Sequence, residues 1–482
     1  MESTKQKSYV LPIIMMFALF FMIAFVTGLQ NPMGIIVKNQ FGASNFMSQL
    51  GNAANFIAYA FMGLPAGIML QRLGYKKTSL AAIMVGFVGV LISYISGVVE
   101  SFGVYLIGAF ISGFSMCMLN TVVNPMLNTL GGGGNRGNQL VQFGGSCNSI
   151  GATIVPVLVG YLIGGQVETA SISDANPALF MAMGIFALAF IVFVFVRIPE
   201  PHLAAAAEMK KEKDKHSPFS FRHFVLGTLA IFFYVGVEVG IANTSNLYMT
   251  TPTVESAQKF ISDNQEEFAK QQSDSVYLQQ LKAKDVSLVI SETTMDMAQK
   301  VVSGESKPGL GIGAGEAGTI VGFYWLLMLI GRLLGGVIGS RVSSRVMLTT
   351  VCSVAALFIF LAIFSPLTTT VNMPVFKSDI SFGLAEVPIG VMFMILCGLC
   401  TSVMWGNIFN LAVEGLGKYT AAASGIFMVM VCGGGILPLI QGYVADGFGF
   451  LSSFWVIIVA LAYMLFYAQV GSKNVNKDIP VD

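Results

Sequence analysis

Charge is scarce in this chain: 26 basic and 25 acidic residues stand among 482, or 11%, against 55% apolar residues. A soluble domain carries roughly a quarter of its residues charged, so this balance excludes a water-faced globule. A net charge of +1 gives no basic field, and no nucleic-acid partner is expected. Histidine is rarer still: His202, His216 and His223 all fall in or beside one loop, with no metal-ligand constellation around them, so no metal site is expected. The six cysteines (Cys117, Cys147, Cys352, Cys397, Cys400 and Cys432) lie inside apolar stretches and imply neither a disulfide framework nor a zinc spacing. The glycines from Gly131 to Gly134 lack the following Gly-Lys-Ser/Thr of a phosphate-binding loop and read as a turn. No nucleophile and base pair is visible, so the chain is not expected to be an enzyme.

What the chain has in abundance is apolar runs. A bilayer core takes about 20 such residues as a helix, and twelve stretches qualify: 10–37, 46–70, 78–98, 102–130, 139–164, 177–196, 224–250, 315–340, 347–367, 388–413, 420–445 and 451–470. The expected fold is an all-α membrane protein of twelve transmembrane helices, with lipid as its main solvent. The first stretch is longer than a signal-peptide core and lacks a small-residue cleavage pattern, so it is expected to remain as helix one.

Basic residues gather on one side of these spans, among them Lys5, Lys7, Arg72, Lys76, Arg136, Arg341 and Lys473, which makes that side cytoplasmic with both termini. Two connections are long. Residues 199–221 carry a charged run and read as a solvated cytoplasmic linker, dividing an N-terminal six-helix bundle (1–198) from the rest. Residues 251–314, between helix seven (222–250) and the rest of a C-terminal bundle (315–471), show an amphipathic pattern through Val254, Phe260, Phe268, Tyr277, Leu281, Val286, Val289 and Ile290. Two or three helices over the outer mouth are expected there, as an added cap or as a lid or docking surface. Residues 472–482 form a cytoplasmic tail.

An internal repeat supports six helices plus six. Gly151, Ile154, Pro156, Gly160, Tyr161 and Gly165 of helix five recur in helix eleven as Gly433, Ile436, Pro438, Gly442, Tyr443 and Gly447. Such repeats, with small residues that let helices approach closely, are how alternating-access carriers are commonly built, with the substrate between the halves.

Polar side chains inside a span are costly unless they meet a partner or line a wet cavity. Helix four offers Asn120, Asn124 and Asn128 along one stripe, helix ten Asn407 and Asn410 beside Trp405, and helix five Gln142, Ser146 and Ser149. Helix one adds Thr27, Gln30 and Asn31, helix two Asn52 and Asn55, and helix seven Asn243 and Asn246. Each could be an interhelical bond; together they favour a polar cavity. Prolines after Asn31 and Asn124 free the carbonyls of Gly28 and Thr121, for a ligand or merely as kinks. Glu238 is the clear mid-span carboxylate, readily protonated in low dielectric, able to pair with a metal cation, or a buried structural bond. Arg332 lies about two turns from the cytoplasmic end of helix eight and reads as a gate or packing element. With no other cation, an anionic substrate would lack partners, so the expected substrate is neutral. Amides around an aromatic plane suit a sugar, since Asn and Gln both donate and accept and Trp405 can cover an apolar ring face.

At these residues the chain resembles the fucose/galactose/glucose:cation symporter family of the major facilitator superfamily. The resemblance rests on Leu64-Pro-Ala-Gly with Leu73-Gly-Tyr-Lys, Val123-Asn-Pro with Thr129-Leu-Gly, Asn148-Ser-Ile-Gly-Ala and Phe233-Tyr-Val-Gly-Val-Glu. Gly331-Arg, Asn407-Ile-Phe with Glu414-Gly-Leu-Gly, and Gly433-Gly-Gly-Ile-Leu-Pro add to it. It implies two pseudo-symmetric six-helix bundles and adds Asn148 to the expected sugar-binding amides. The chain departs from members resembling the fucose permease by carrying Asn31 and Asn120 where carboxylates stand, and Gly145 where a Gln stands. Glu238 matches the acidic residue of the glucose/galactose branch.

The expected function is therefore a secondary active transporter importing a neutral hexose (glucose, galactose, mannose or fucose) into a bacterium across its inner membrane, as a monomer in the lipid bilayer. No cofactor is expected beyond a co-transported H+ or Na+ coupled through Glu238. A facilitative uniporter and a non-transporting sugar sensor are the alternatives.

Overall fold

The computed structural model describes residues 9–41, 44–130, 134–162, 171–196, 198–200, 216–284, 289–290, 292–339, 341–377, 381–416, 419–476 and 478–479. The charged linker run from Glu208 and the repeat residue Gly165 lie outside them, as does Val286 of the amphipathic pattern.

Lipid offers the backbone no hydrogen bonds, so apolar runs close their own as helices. The first half is built from α1 (Val10–Gln40), a short α2 (Asn45–Ser48), α3 (Leu50–Val98), α4 (Phe102–Leu130), α5 (Gly134–Leu162) and α6 (Asn176–Phe195). Helices two and three are the two limbs of α3, which turns at Gly74 with φ of 81°. The turn is fixed by Glu200, whose carboxylate accepts from the amides of Tyr75 at 2.6 Å and Lys76 at 2.9 Å. Lys76 in turn donates to the carbonyls of Val194 and Val196, tying the end of α6 to the same corner.

The second half holds α7 (Arg222–Thr250), three cap helices α8 (Val254–Ser273), α9 (Ser275–Lys284) and α10 (Glu292–Ser303), then α11 (Ala314–Ile338) and α12 (Ser344–Phe364). A hairpin of β1 (Thr370–Phe376) and β2 (Phe382–Pro388) follows. It is the only sheet among the described residues, and it stands where the apolar pattern indicates no more than a connecting loop. Its pairing runs from Thr370 opposite Pro388 to Phe376 opposite Phe382, with Met373, Val375, Ala385 and Val387 turned inward. Helices ten and eleven are each broken in two: α13 (Ile389–Thr401) and α14 (Met404–Val413), then α15 (Thr420–Met430) and α16 (Gly433–Phe448), before α17 (Phe450–Phe466). The first break follows hydroxyls that turn back onto their own helix, Thr401 to the carbonyl of Cys397 and Ser402 to that of Leu399.

Eleven helical segments among the described residues are long and apolar enough to cross a membrane. With α5, which carries the polar helix-five residues, they make the twelve-helix architecture. The repeat read from sequence is visible as packing. A Cβ on Gly151 of α5 would stand 2.8 Å from Ala24 on α1, and one on Gly433 of α16 would collide with the carbonyl of Phe232 on α7. The same small residue thus seats helix five on helix one and helix eleven on helix seven. Across the halves, α5 packs on α11, and α3 on α15 and α16.

Among the described residues of 251–314 the chain forms three helices, where the amphipathic pattern predicts two or three. α8 and α10 meet through Ala257, Ala298 and Val301, covered by Phe260 and Ile261. The chain then returns along the end of α7, with amides of Leu310 and Ile312 donating to the carbonyls of Tyr248 and Met249. α10 also touches α1, so the cap reaches from one half to the other.

Candidate functional site

Glu238 stands near the middle of α7 and Arg332 toward the end of α11, and their side chains, 14% and 13% exposed, form an ion pair with Nη2 3.6 Å from Oε1. Sequence position gives them separate roles; the structure brings them together. Arg332 also reaches the other half. Its Nη1 donates to the carbonyl of Gly145 at 2.6 Å and to Oγ of Ser149 at 2.7 Å. Those two acceptors are one turn apart on α5, where spacing of four residues stacks them on one face. A guanidinium carries donors in a fixed fork and can serve both acceptors and the carboxylate at once.

Around this pair the second half supplies hydroxyls and aromatic faces. Tyr324, buried on α11, donates to the backbone carbonyl of Glu238 at 3.1 Å and lies 3.1 Å from Oγ1 of Thr401. Close packing makes this possible, since a Cβ on Gly398 would collide with the Tyr324 carbonyl. Tyr234, one turn before Glu238, meets Trp405 edge to face with centroids 6.1 Å apart. The helix break before Met404 is what starts α14 beside Tyr234 and presents Trp405, half-buried, at that point. Sequence reading missed Tyr324 and Thr401 as members of this cluster; their only signal was a Tyr and a Thr at helical spacing inside apolar spans.

The amides fall into three groups. In the first, Nδ2 is used to hold helices together: Asn52 to the Gly434 carbonyl at 2.9 Å, Asn55 to Ala109 at 3.2 Å, Asn148 to Phe20 at 3.2 Å, and Asn243 to Oε1 of Gln49 at 3.2 Å. Asn52 and Asn243 span the two halves. In the second, Nδ2 turns back onto the carbonyl four residues earlier: Asn120 to Met116, Asn124 to Asn120 and Asn407 to Val403. Asn120 also donates to the Tyr59 hydroxyl at 3.0 Å. A back-bond of this kind can be given up to a ligand without orphaning the helix, because a carbonyl has two lone pairs. The third group is only placed: Asn246 is buried and Asn410 exposed. The side chains of Gln30, Asn31, Asn128 and Gln142 lie outside the described residues, although the helices that carry them do not. α4 continues through Pro125 without a break.

A family model described as Major Facilitator Superfamily matches residues 16–260. The chain is 25% identical over 475 residues to a glucose/galactose transporter of Brucella abortus, covering 98% of this chain and 97% of that one. It is 22% identical over 496 residues to the L-fucose-proton symporter of Escherichia coli, covering 98% and 96%. A crystal structure of a Major Facilitator Superfamily transporter, FucP, in the outward conformation superposes with a TM-score of 0.63 at 19% identity, over 97% of this chain and all of the other, and so shares its fold.

Proposed function

The chain belongs to the Major Facilitator Superfamily, and from that premise we propose that it imports a neutral hexose across a bacterial inner membrane by alternating access, with both termini cytoplasmic and the monomer as the working unit. The observation that carries this reading is the cluster where the halves meet: a charge-balanced Glu238 and Arg332 pair tied to Ser149 of α5, with the hydroxyls of Tyr324 and Thr401 and the Tyr234 and Trp405 rings beside it. Whole-length similarity to carriers named for glucose, galactose and fucose supports the same substrate class.

Trp405 stacks on the sugar ring, while Asn120, Asn124, Asn128, Gln142, Asn148, Asn407 and Asn410 offer hydrogen bonds to hydroxyls. Arg332 acts as the gate: its bonds to Gly145 and Ser149 tie α11 to α5 and must break for the halves to part on that side. Glu238 lies on the same half as Arg332 and holds the same guanidinium that reaches α5. A proton or Na+ on Glu238 weakens that hold and frees the guanidinium to shift, which couples cation loading to the inter-half tie.

A second reading has its own support. Glu238 already has a cationic partner, so the carboxylate is balanced with no added ion, as a facilitative uniporter requires.

Uptake of labelled glucose, galactose, mannose and fucose into proteoliposomes, with imposed proton or sodium gradients, separates the two. Gradient-driven accumulation that is lost in Glu238→Gln while exchange persists is the expected result. Gradient-independent equilibration unchanged by Glu238→Gln makes the protein a uniporter, and no movement of any hexose ends the sugar reading.

A further inference from the structure

Among the described residues, Glu238 and Arg332 are the charged side chains set farthest from the ends of the apolar spans. Their neighbours Ser149, Tyr324 and Thr401 are uncharged, as are Tyr234 and Trp405 beside them. Opposite unit charges 3.6 Å apart largely cancel for a ligand outside the pair, leaving only its hydrogen-bonding groups to be felt. Removing one partner changes this abruptly, because the remaining charge acts in a medium where water screens it poorly. The pair also bridges to α5, so it lies where the two halves meet.

We infer that the Glu238 and Arg332 pair sets the charge class of the substrate, holding the pathway neutral so that uncharged sugars pass while their carboxylate and ammonium analogues are refused. This rests on the sugar-carrier reading above and adds the residues that enforce neutrality. It makes a reciprocal claim. Glu238→Gln leaves Arg332 unbalanced and turns the site toward a uronate; Arg332→Gln leaves Glu238 unbalanced and turns it toward an amino sugar.

The test is counterflow in proteoliposomes, with no imposed gradient, of glucose, glucuronate and glucosamine at a pH where the amine is protonated. Two single variants are used because either one can fail to fold, and Glu238→Gln with Arg332→Gln restores neutrality. The expected result is a rise of about tenfold or more in the glucuronate to glucose ratio for Glu238→Gln, equivalent to about 1.4 kcal/mol. The glucosamine to glucose ratio rises similarly for Arg332→Gln, and both ratios return toward wild type in the double variant. Ratios that stay within about twofold of wild type in whichever single variants fold overturn the inference while leaving the sugar reading intact. Absence of counterflow of every neutral hexose by the wild type overturns both.

Discussion

Asn52 and Gly434 are 382 residues apart in the chain, yet the amide of the first donates to the carbonyl of the second at 2.9 Å, joining the two halves. The contact belongs to a seam in which helix two and helix eleven run antiparallel. Phe46 donates its amide to Asp446 at 3.0 Å near one end, and a Cβ on Gly435 would stand 2.8 Å from Ala53 further along. A Cβ on Gly63 would stand 2.9 Å from the amide of Val429 beyond the helix break. Without a hydrophobic force between helices in lipid, close backbone approach and hydrogen bonds must hold such a seam.

Gly435→Val is therefore expected to force the halves apart and lower stability by about 1–3 kcal/mol, the usual cost of overpacking a tight contact. Thermal unfolding of the detergent-solubilised protein reads this directly. A variant that unfolds at the wild-type temperature shows that the seam yields freely.

The seam was partly legible beforehand. The repeat of Gly151 as Gly433 announced close packing of helix eleven, which Gly433 makes on helix seven and its neighbours Gly434 and Gly435 make across the seam, and twelve apolar runs indicated the architecture, because in lipid length and apolarity alone demand a helix. The breaks after Thr401 and Met430 were not legible, since a helix interruption inside a continuously apolar run leaves no change of hydropathy. Hydroxyl back-bonding accompanies the first, a local bond that hydropathy does not register, and the second lies beside the crowding of Gly433 against Phe232, a tertiary contact. The hairpin was missed because its inward residues Met373, Val375, Ala385 and Val387 alternate over strands too short to stand out. In the site, Glu238 and Arg332 stood out as costly charges, but their meeting depends on the packing of α7 on α11, which no spacing within one helix encodes.

Substituting either member of that pair alone leaves a mostly buried charge without its partner, at a cost of about 3–5 kcal/mol. Substituting both, as Glu238→Gln with Arg332→Gln, is expected to cost clearly less than the sum of the two. A double-mutant cycle on unfolding temperature or denaturant midpoint measures the difference. Additive losses mean that the two charges do not act on each other.

Glu200 accepts two backbone amides at the turn between helices two and three, and Glu200→Ala orphans both. Each partly buried donor left without a partner costs about 1–3 kcal/mol. The expected outcome is a lower unfolding temperature together with faster cleavage by added protease around Gly74. Glu200→Gln retains an acceptor and is expected to recover part of the loss; no recovery assigns the effect to charge alone.

On the cap, the Tyr277 hydroxyl donates to Glu267 at 2.8 Å and the Gln271 amide at 3.3 Å, and these bonds hold the Glu267 carboxyl below the usual carboxylate range. A carboxyl with a depressed folded pKa gives stability that is present above its unfolded value of about 4.3 and lost as pH falls through the folded value. Hydrogen-exchange protection of α8 and α9 is expected to drop as the pH is lowered from about 5 toward 3, and less so in Tyr277→Phe. Equal pH dependence in the two proteins would remove the bond from the account.

Trp405 makes the most direct claim about where the sugar sits. The chain has three tryptophans: Trp455 packs against Phe360 and Phe364, and Trp325 meets Tyr324, itself part of the cluster, edge to face. Replacing both by Phe leaves Trp405 as the reporter. Binding of a neutral hexose over its face is expected to shift its emission, because the ring exchanges water for an apolar sugar face. Trp405→Ala is expected to weaken binding about twofold to tenfold, the range that an aromatic contact of about 0.5–1.5 kcal/mol supplies. Trp405→Phe, which keeps a flat ring, should lose less. If hexose transport continues in the reporter protein with no change of emission for any transported sugar, the ring is not at the binding site.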